Sequence, residues 1–241
     1  MNALGRRSAT LAVLLWLAGA ALAQPAGPAE RYSAAPASSD GIGKRYMGRE
    51  IAAVMGWQGA AWLEREARER EERTDLLLAA LALQPGMAVA DIGAGSGYFA
   101  RRIASVVGAK GSVYAVDVQP EMVRMLEALA KQPGLANIKP VQGAVADVKL
   151  PPASIDLALM VDVYHELEFP YEVLASIVRA LKPGGRMVFV EYRAEDANVP
   201  IKALHKMSEA QVKAEAARHA LVWERTAGTL PWQHVVIFRK K

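Results

Sequence analysis

The sequence contains no cysteine. That absence excludes disulfides, thiol nucleophiles, thiolate metal sites and a lipid-bearing cysteine. An excess of charge of one sign is missing too. There are 29 basic and 25 acidic residues, and without Arg6 and Arg7 the balance is 27 to 25, or +2. So small a surplus makes no basic stripe, and nucleic-acid binding through phosphate neutralisation is not expected. The four histidines show no H-E-x-x-H or comparable spacing, so no metal is expected from them. There is no G-x-S-x-G elbow for a serine nucleophile, and no internal repeat. What the chain has in quantity is apolar side chains, 52% of 241 residues, enough for a sizeable core.

The N-terminal segment 1–23 carries Arg6 and Arg7, then an apolar run from Ala9 to Leu22, then the small-x-small triplet Ala21-Leu22-Ala23. The run is of secretory-signal length and short for a membrane span. A cleaved signal peptide is expected, cut between Ala23 and Gln24, with the mature protein periplasmic or secreted and without a stable span. A start at Met47 would instead leave it cytoplasmic. Residues 24–44, rich in Ala, Pro, Ser and Gly, read as a flexible linker.

Residues 45–84 read as an N-terminal helical extension or lid. Gly48 to Arg73 is expected to be helical with a break near Gly56 and Gly59. The charge-dense run Glu64–Arg73 suits a solvated helix face. The other reading of this segment is a lid whose Trp57 and Trp62 cover a pocket and meet substrate. Thr74-Asp75 opens a second helix, which ends at Gln84-Pro85-Gly86.

From Pro85 to Lys241 strands and helices alternate. Strands are expected at 87–92, 112–118, 138–142, 155–161 and 186–192, and helices at 98–107, 120–131 and 170–181. This is the pattern of a doubly wound α/β domain with a mostly parallel sheet. The tail differs. A helix at 208–219, with Ser208 and Gln211 in capping-box spacing, is followed by strands at 220–226 and 233–239. The connection between them is too short for anything but an antiparallel pair.

The first strand runs into Asp91-Ile-Gly93-Ala94-Gly95-Ser-Gly97-Tyr98. Glycines there let the backbone turn sharply and approach a ligand. A dinucleotide site would need G-x-G-x-x-G, whereas the spacing here is G-x-G-x-G with Tyr98 at the third glycine position. This disfavours a nicotinamide-dependent dehydrogenase. Asp117 ends the second strand, where a carboxylate can accept from both hydroxyls of a ribose.

DIGAGSGY resembles motif I of the class I S-adenosylmethionine-dependent methyltransferases (type 11/25-like), and the resemblance runs from Leu76 to Arg239. It implies a seven-stranded sheet of order 3-2-1-4-5-7-6 with strand 7 antiparallel, and S-adenosyl-L-methionine as cofactor. It implies that Asp91 lies near the amino group of the methionine moiety and that Gly93, Ala94, Gly95 and Gly97 form the loop under the cofactor. Asp117 and Val118 match the ribose segment. Gly143, Ala146 and Asp147 match the adenine segment, although Ala144 stands where many relatives carry an acid. Leu181-Lys-Pro-Gly-Gly-Arg186 matches the turn before strand five.

Catalytic candidates sit where strand four ends, at the edge of the sheet where ligands bind. His165 is placed to act as general base, with Glu166 or Asp162 orienting it or touching substrate. Asp162 also lies near the cofactor's methionine end. Tyr164, and Glu191 at the end of strand five, are candidate pocket residues. His205, His219 and His234 read as structural. The expected activity is methyl transfer to a small-molecule acceptor, because little of the chain lies outside the core. No N-P-P-Y loop follows strand four, which speaks against amino-group methylation. The competing reading is a non-catalytic exported Rossmann-like module that binds a nucleoside-like ligand or a protein partner.

Overall fold

The computed structural model describes residues 31–241. The signal segment 1–23 and the first part of the linker, 24–30, lie outside the described residues. The chain opens with three short strands, β1 (Tyr32–Ala34), β2 (Gly41–Tyr46) and β3 (Arg49–Ala52), paired in that order as an antiparallel sheet. This corrects both the flexible linker and the helix expected from Gly48. The cause is a two-residue hairpin turn. Tyr46 pairs with Arg49, and Met47 and Gly48 both take positive φ, +46° and +91°, the twist that suits a tight hairpin. Methionine at the first turn position is a poor advertisement for it.

A 3-10 turn at Trp57–Gly59 leads to α1 (Ala60–Leu63), α2 (Arg68–Glu72) and α3 (Thr74–Leu81). The helical extension is therefore real but confined to residues 57–81. Thr74 does not cap α3 through its side chain. The capping position is Arg73 in the left-handed region.

The remainder alternates as expected: β4 (Ala88–Ile92), α4 (Tyr98–Val107), β5 (Ser112–Asp117), α5 (Pro120–Ala130), β6 (Ile138–Gln142), β7 (Ile155–Val161), α6 (Pro170–Ala180), β8 (Leu181–Tyr192), α7 (Glu209–Ala216), β9 (Leu221–Ala227) and β10 (Gln233–Lys240). The sheet order is β6-β5-β4-β7-β8-β10-β9. Numbered within this sheet it is 3-2-1-4-5-7-6, with β10 antiparallel to both neighbours. The expected turn Leu181–Arg186 is an excursion inside β8. The ladder to β7 steps from Ile155↔Leu181 to Leu157↔Arg186.

Side chains of the central strands alternate between two apolar layers, as the period of two requires. Val89, Leu157, Leu159, Val188, Val190, Val235 and Ile237 face α3, α4 and α5. Ala90, Ala158, Met160, Phe189, Val236 and Phe238 face α6 and α7. Ser208 caps α7, its hydroxyl accepting from Gln211 N at 3.1 Å. Only half of the capping box forms, because the Gln211 side chain donates to Glu215 and to the Met47 carbonyl. Among the described residues no helix is long and apolar enough to cross a membrane.

Candidate active site

The carboxyl ends of β4, β5 and β7 open on one cavity of about 490 Å³. Gly93, Gly95 and Gly97 between β4 and α4 all have positive φ (+69°, +55° and +83°), a region side chains seldom occupy. Space is closed to side chains as well. A Cβ on Gly93 would stand 2.6 Å from Val163 Cγ2, and one on Gly95 2.6 Å from Leu63 Cδ1. Gly93 and Gly95 line the cavity, while Ala94 and Gly97 are buried beneath it.

Asp117 lies at the cavity wall with Val118. Its Oδ2 accepts from Gly95 N and its Oδ1 from Gln119 N, each at 2.9 Å. Burial raises its pKa, against the pull of those N–H groups. Each oxygen keeps a lone pair free, so the residue can still accept from a ribose. Asp91 is buried, and its Oδ2 has no hydrogen-bond partner. Burial pushes its carboxyl up to about 7, against the field of Arg68. An orphaned buried carboxylate oxygen is costly, and a cationic ammonium satisfies it. The cavity-lining residues fit S-adenosylmethionine, Gly93 and Gly95 beneath it and Asp117 for the ribose, whereas Asp91 is buried at the start of the loop and does not itself line the cavity.

The adenine assignment is corrected. Asp147 does not line the cavity. Its Oδ1 accepts from Lys149 N at 2.7 Å and its Oδ2 holds Arg179 at 3.0 Å. A backbone donor and an opposite charge turn it away, and Ala146 beside it does not reach the cavity either. The residue of this segment that lines the cavity is Val145.

Asp162, just past β7, is a non-glycine residue at φ +54°, a strained conformation for a side chain. Its Oδ2 accepts from Gln233 Nε2 at 2.8 Å, and its Oδ1 is buried without a partner. Burial, reinforced by the charges of Glu72 and Glu191, raises its pKa well above the carboxylate range.

The turn Tyr164–Glu166 sends its side chains in different directions. Tyr164 is fully buried against Phe189 and donates to Glu215 Oε2 at 2.6 Å. It belongs to the core and does not line the cavity, contrary to expectation. Glu191 is fully buried as well. Its Oε1 accepts from Tyr164 N at 2.9 Å and its Oε2 meets His165 Nδ1 at 2.6 Å. It holds His165 from behind and cannot touch substrate. His165 and Glu166 do line the cavity. His165 Nε2 faces His205 Nδ1 at 3.2 Å, and Glu166 Oε2 accepts from Met55 N at 3.3 Å. Burial opposes a charged imidazole at 165, but the Glu191 and Glu166 carboxylates outweigh it and raise the group to about 10. Both ring nitrogens are already engaged, Nδ1 by Glu191 and Nε2 by His205. Glu166, its pKa lowered by His165 and His205 against the effect of burial, is ionised.

The roof comes from the N-terminal extension. Trp57 N donates to Gln119 Oε1 at 2.8 Å and Gln119 Nε2 to the Met55 carbonyl at 3.0 Å, clipping this segment to the loop after Asp117. Glu64 accepts from Ser96 at 2.6 Å and pairs with Arg101 at 2.8 Å. Trp62, Leu63 and Met55 line the cavity, and Trp57 does not. The run Glu64–Arg73 is only partly a solvated face. Arg68 is 4% and Glu72 2% exposed, paired at 2.9 Å, with Tyr192 donating to Glu72 at 3.0 Å. Their spacing matches a surface i,i+4 pair, so only the tertiary structure separates them from their exposed neighbours. His205, in a turn at Ala203–His205, lines the cavity, although in the sequence it reads as structural.

Comparison with known proteins agrees with this geometry. The ubiquinone/menaquinone biosynthesis C-methyltransferase UbiE of Ectopseudomonas mendocina is 30% identical over 111 residues, 46% of this chain and 43% of that protein. The chain spans less than half the length of the first curated relatives it matches. A SAM-dependent methyltransferase of Aquifex aeolicus shares the fold with a TM-score of 0.73 at 24% identity, over 78% of this chain and all of that one. A type 11 methyltransferase of Sulfolobus solfataricus, itself described as putative, gives 0.58 at 17% identity, over 71% and 94%. The family model described as "Methyltransferase domain" matches residues 83–236. On that match, the chain belongs to the class I methyltransferase family, whose cofactor is S-adenosylmethionine.

Proposed function

We propose that this protein transfers a methyl group from S-adenosylmethionine to a small acceptor held in the roofed cavity. One observation carries the reading: the glycine loop and Asp117 open on the same cavity as Asp162, Glu166 and His205, with the unpartnered Asp91 carboxylate buried at the start of that loop. When bound, the cofactor supplies an electrophilic methyl on a sulfonium, so the protein's work is mainly alignment and exclusion of water. Gly93 and Gly95 let the backbone approach, and Asp117 orients the ribose. Asp91 neutralises the ammonium. Met55, Trp62, Leu63, Val161 and Val163 give the cavity mostly apolar walls, among which Asp117, Gln119, Asp162 and Glu166 place polar groups. The clipped roof favours a small acceptor over a macromolecular one, which would have to break the Glu64 and Gln119 contacts to enter.

Titration calorimetry of S-adenosylmethionine into the purified protein tests the cofactor half. Binding that Asp117→Ala abolishes is expected. A folded wild-type protein that takes up no cofactor would overturn the reading in favour of a repurposed module.

Export is also proposed, supported by the Arg6-Arg7, apolar and Ala21-Leu22-Ala23 sequence. A start at Met47 is disfavoured because β1 and β2 precede it, and Arg31 and Lys44 of that segment reach Glu172 and Phe169. An alkaline-phosphatase fusion after Gln24 is expected to be active, and an inactive one would sink the proposal.

A further inference from the structure

Three side-chain atoms converge in the cavity. His165 Nε2 and His205 Nδ1 are 3.2 Å apart, His205 Nδ1 and Glu166 Oε1 3.4 Å, and His165 Nε2 and Glu166 Oε1 3.7 Å. All three residues line the cavity. We propose that His165, Glu166 and His205 form a binding site for a divalent transition metal of the zinc class, with at least one coordination position open to the cavity.

The distances decide between geometries. Ligands about 2.1 Å from one ion stand about 3.4 Å apart in a tetrahedral site and about 3.0 Å apart at right angles in an octahedral one. The observed triangle has the tetrahedral size. Two imidazoles and a carboxylate make an acceptable zinc donor set, and three protein ligands leave the fourth position for water or substrate.

The outer shell is also in place. The other nitrogen of His165 is held by Glu191 at 2.6 Å, the carboxylate–histidine arrangement that fixes a ligand's ring and raises its basicity. The other oxygen of Glu166 is held by Met55 N. Binding exchanges the proton shared between the two rings for the ion. Sequence spacing conceals the site: two ligands are neighbours, and the third lies forty residues on, brought in by the loop after β8.

A metal here gives the cavity a specific use, and this step rests on the methyl-transfer reading. An acceptor bearing a hydroxyl or other oxygen donor would coordinate the open position. The ion lowers the pKa of such a group by several units, which would supply the anion that methyl transfer to oxygen needs.

The test uses untagged protein, stripped with a chelator and dialysed, then titrated with Zn²⁺ against a chromophoric indicator. One ion per chain is expected, with affinity falling 100-fold or more in His205→Ala. The same protein loaded with Co²⁺ is expected to show the intense visible absorption of a four- or five-coordinate ion, lost in Glu166→Gln. Both variants are checked for wild-type circular dichroism. His205 and Glu166 are partly exposed, which favours folding. Equal Zn²⁺ affinity in wild type and His205→Ala, or no uptake, would overturn the site. S-adenosylmethionine titrations on the same samples separate the two claims. Cofactor binding without metal uptake removes only the metal site, whereas metal uptake without cofactor binding upholds the site and removes the methyl-transfer reading.

Discussion

Glu215 grips Arg49 through both carboxylate oxygens, at 2.7 and 3.1 Å, across 166 residues of chain. Arg49 belongs to the N-terminal hairpin and Glu215 to α7, and the same guanidinium donates to the His165 carbonyl at 3.2 Å. Glu215 is fully buried and also accepts from Tyr164 and Gln211. Removing one partner of a buried pair leaves a charge without compensation and costs about 3–5 kcal/mol. At about 2–4 °C per kcal/mol for a domain of this size, Glu215→Gln is expected to lower Tm by roughly 6–20 °C. Limited proteolysis is expected to show faster cutting at the Met47-Gly48 turn. An unchanged Tm would mean the hairpin is held by other contacts.

Gly95→Ala probes the loop and the roof together. Its φ of +55° strains a side chain, and the new Cβ meets Leu63 Cδ1, the flexible end of a roof residue. Forcing an alanine into this region costs about 1–2 kcal/mol. Cofactor affinity is expected to fall tenfold or more while Tm falls only a few degrees. Calorimetry beside a thermal melt checks it. An affinity loss no larger than the stability loss would argue that the loop does not touch the ligand.

Most of this architecture is written in local patterns. Short apolar runs in β4, β7, β8 and β10 and the proline-opened helices α5 and α6 name their elements from sequence alone. Asp91, the glycines and Asp117 occupy a strand–loop–helix–strand unit that is local in the chain. Contacts made at long range are not legible. Nothing in the spacing of Arg68 and Glu72 says they are buried, and nothing in Tyr164 says it turns inward while its neighbour His165 faces the cavity. Asp147 reads as an adenine contact only because its partner Arg179, thirty-two residues away, is invisible in the local pattern. The β2–β3 turn is hidden because Met47 takes a conformation that asparagine or glycine would have signalled.

Glu64 ties the roof to the loop yet is about one-third exposed, which separates dynamics from stability. Exposed ion pairs contribute about 0–1 kcal/mol, so Glu64→Ala is expected to leave Tm within about 4 °C. Opening the roof should speed cofactor release several-fold. Stopped-flow fluorescence, with half-exposed Trp62 at the cavity as reporter, measures it. An unchanged release rate would show that the roof is not the barrier to exit.

Asp91 makes the sharpest pH prediction. Its carboxyl is raised to about 7, burial being the largest cause, whereas in the unfolded chain it titrates near 3.9. The folded protein therefore keeps a proton that the unfolded chain has lost. The stability this confers is complete below about pH 4 and disappears as pH rises through 7. Above that the ionised group is a liability of up to about 4 kcal/mol, since each pH unit between the two titrations is worth about 1.4 kcal/mol. Asp91→Asn is expected to stabilise the cofactor-free protein at pH 8 and leave it nearly unchanged at pH 4. Binding reverses the sign. An ammonium beside Asp91 favours its ionised form, so wild-type binding near pH 6 should release part of a proton. Calorimetry in buffers of different ionisation enthalpy would then give different apparent heats. In Asp91→Asn the affinity should drop at least tenfold and the heats should become independent of buffer. Buffer-independent heats in the wild type would place the cofactor's amino group away from Asp91.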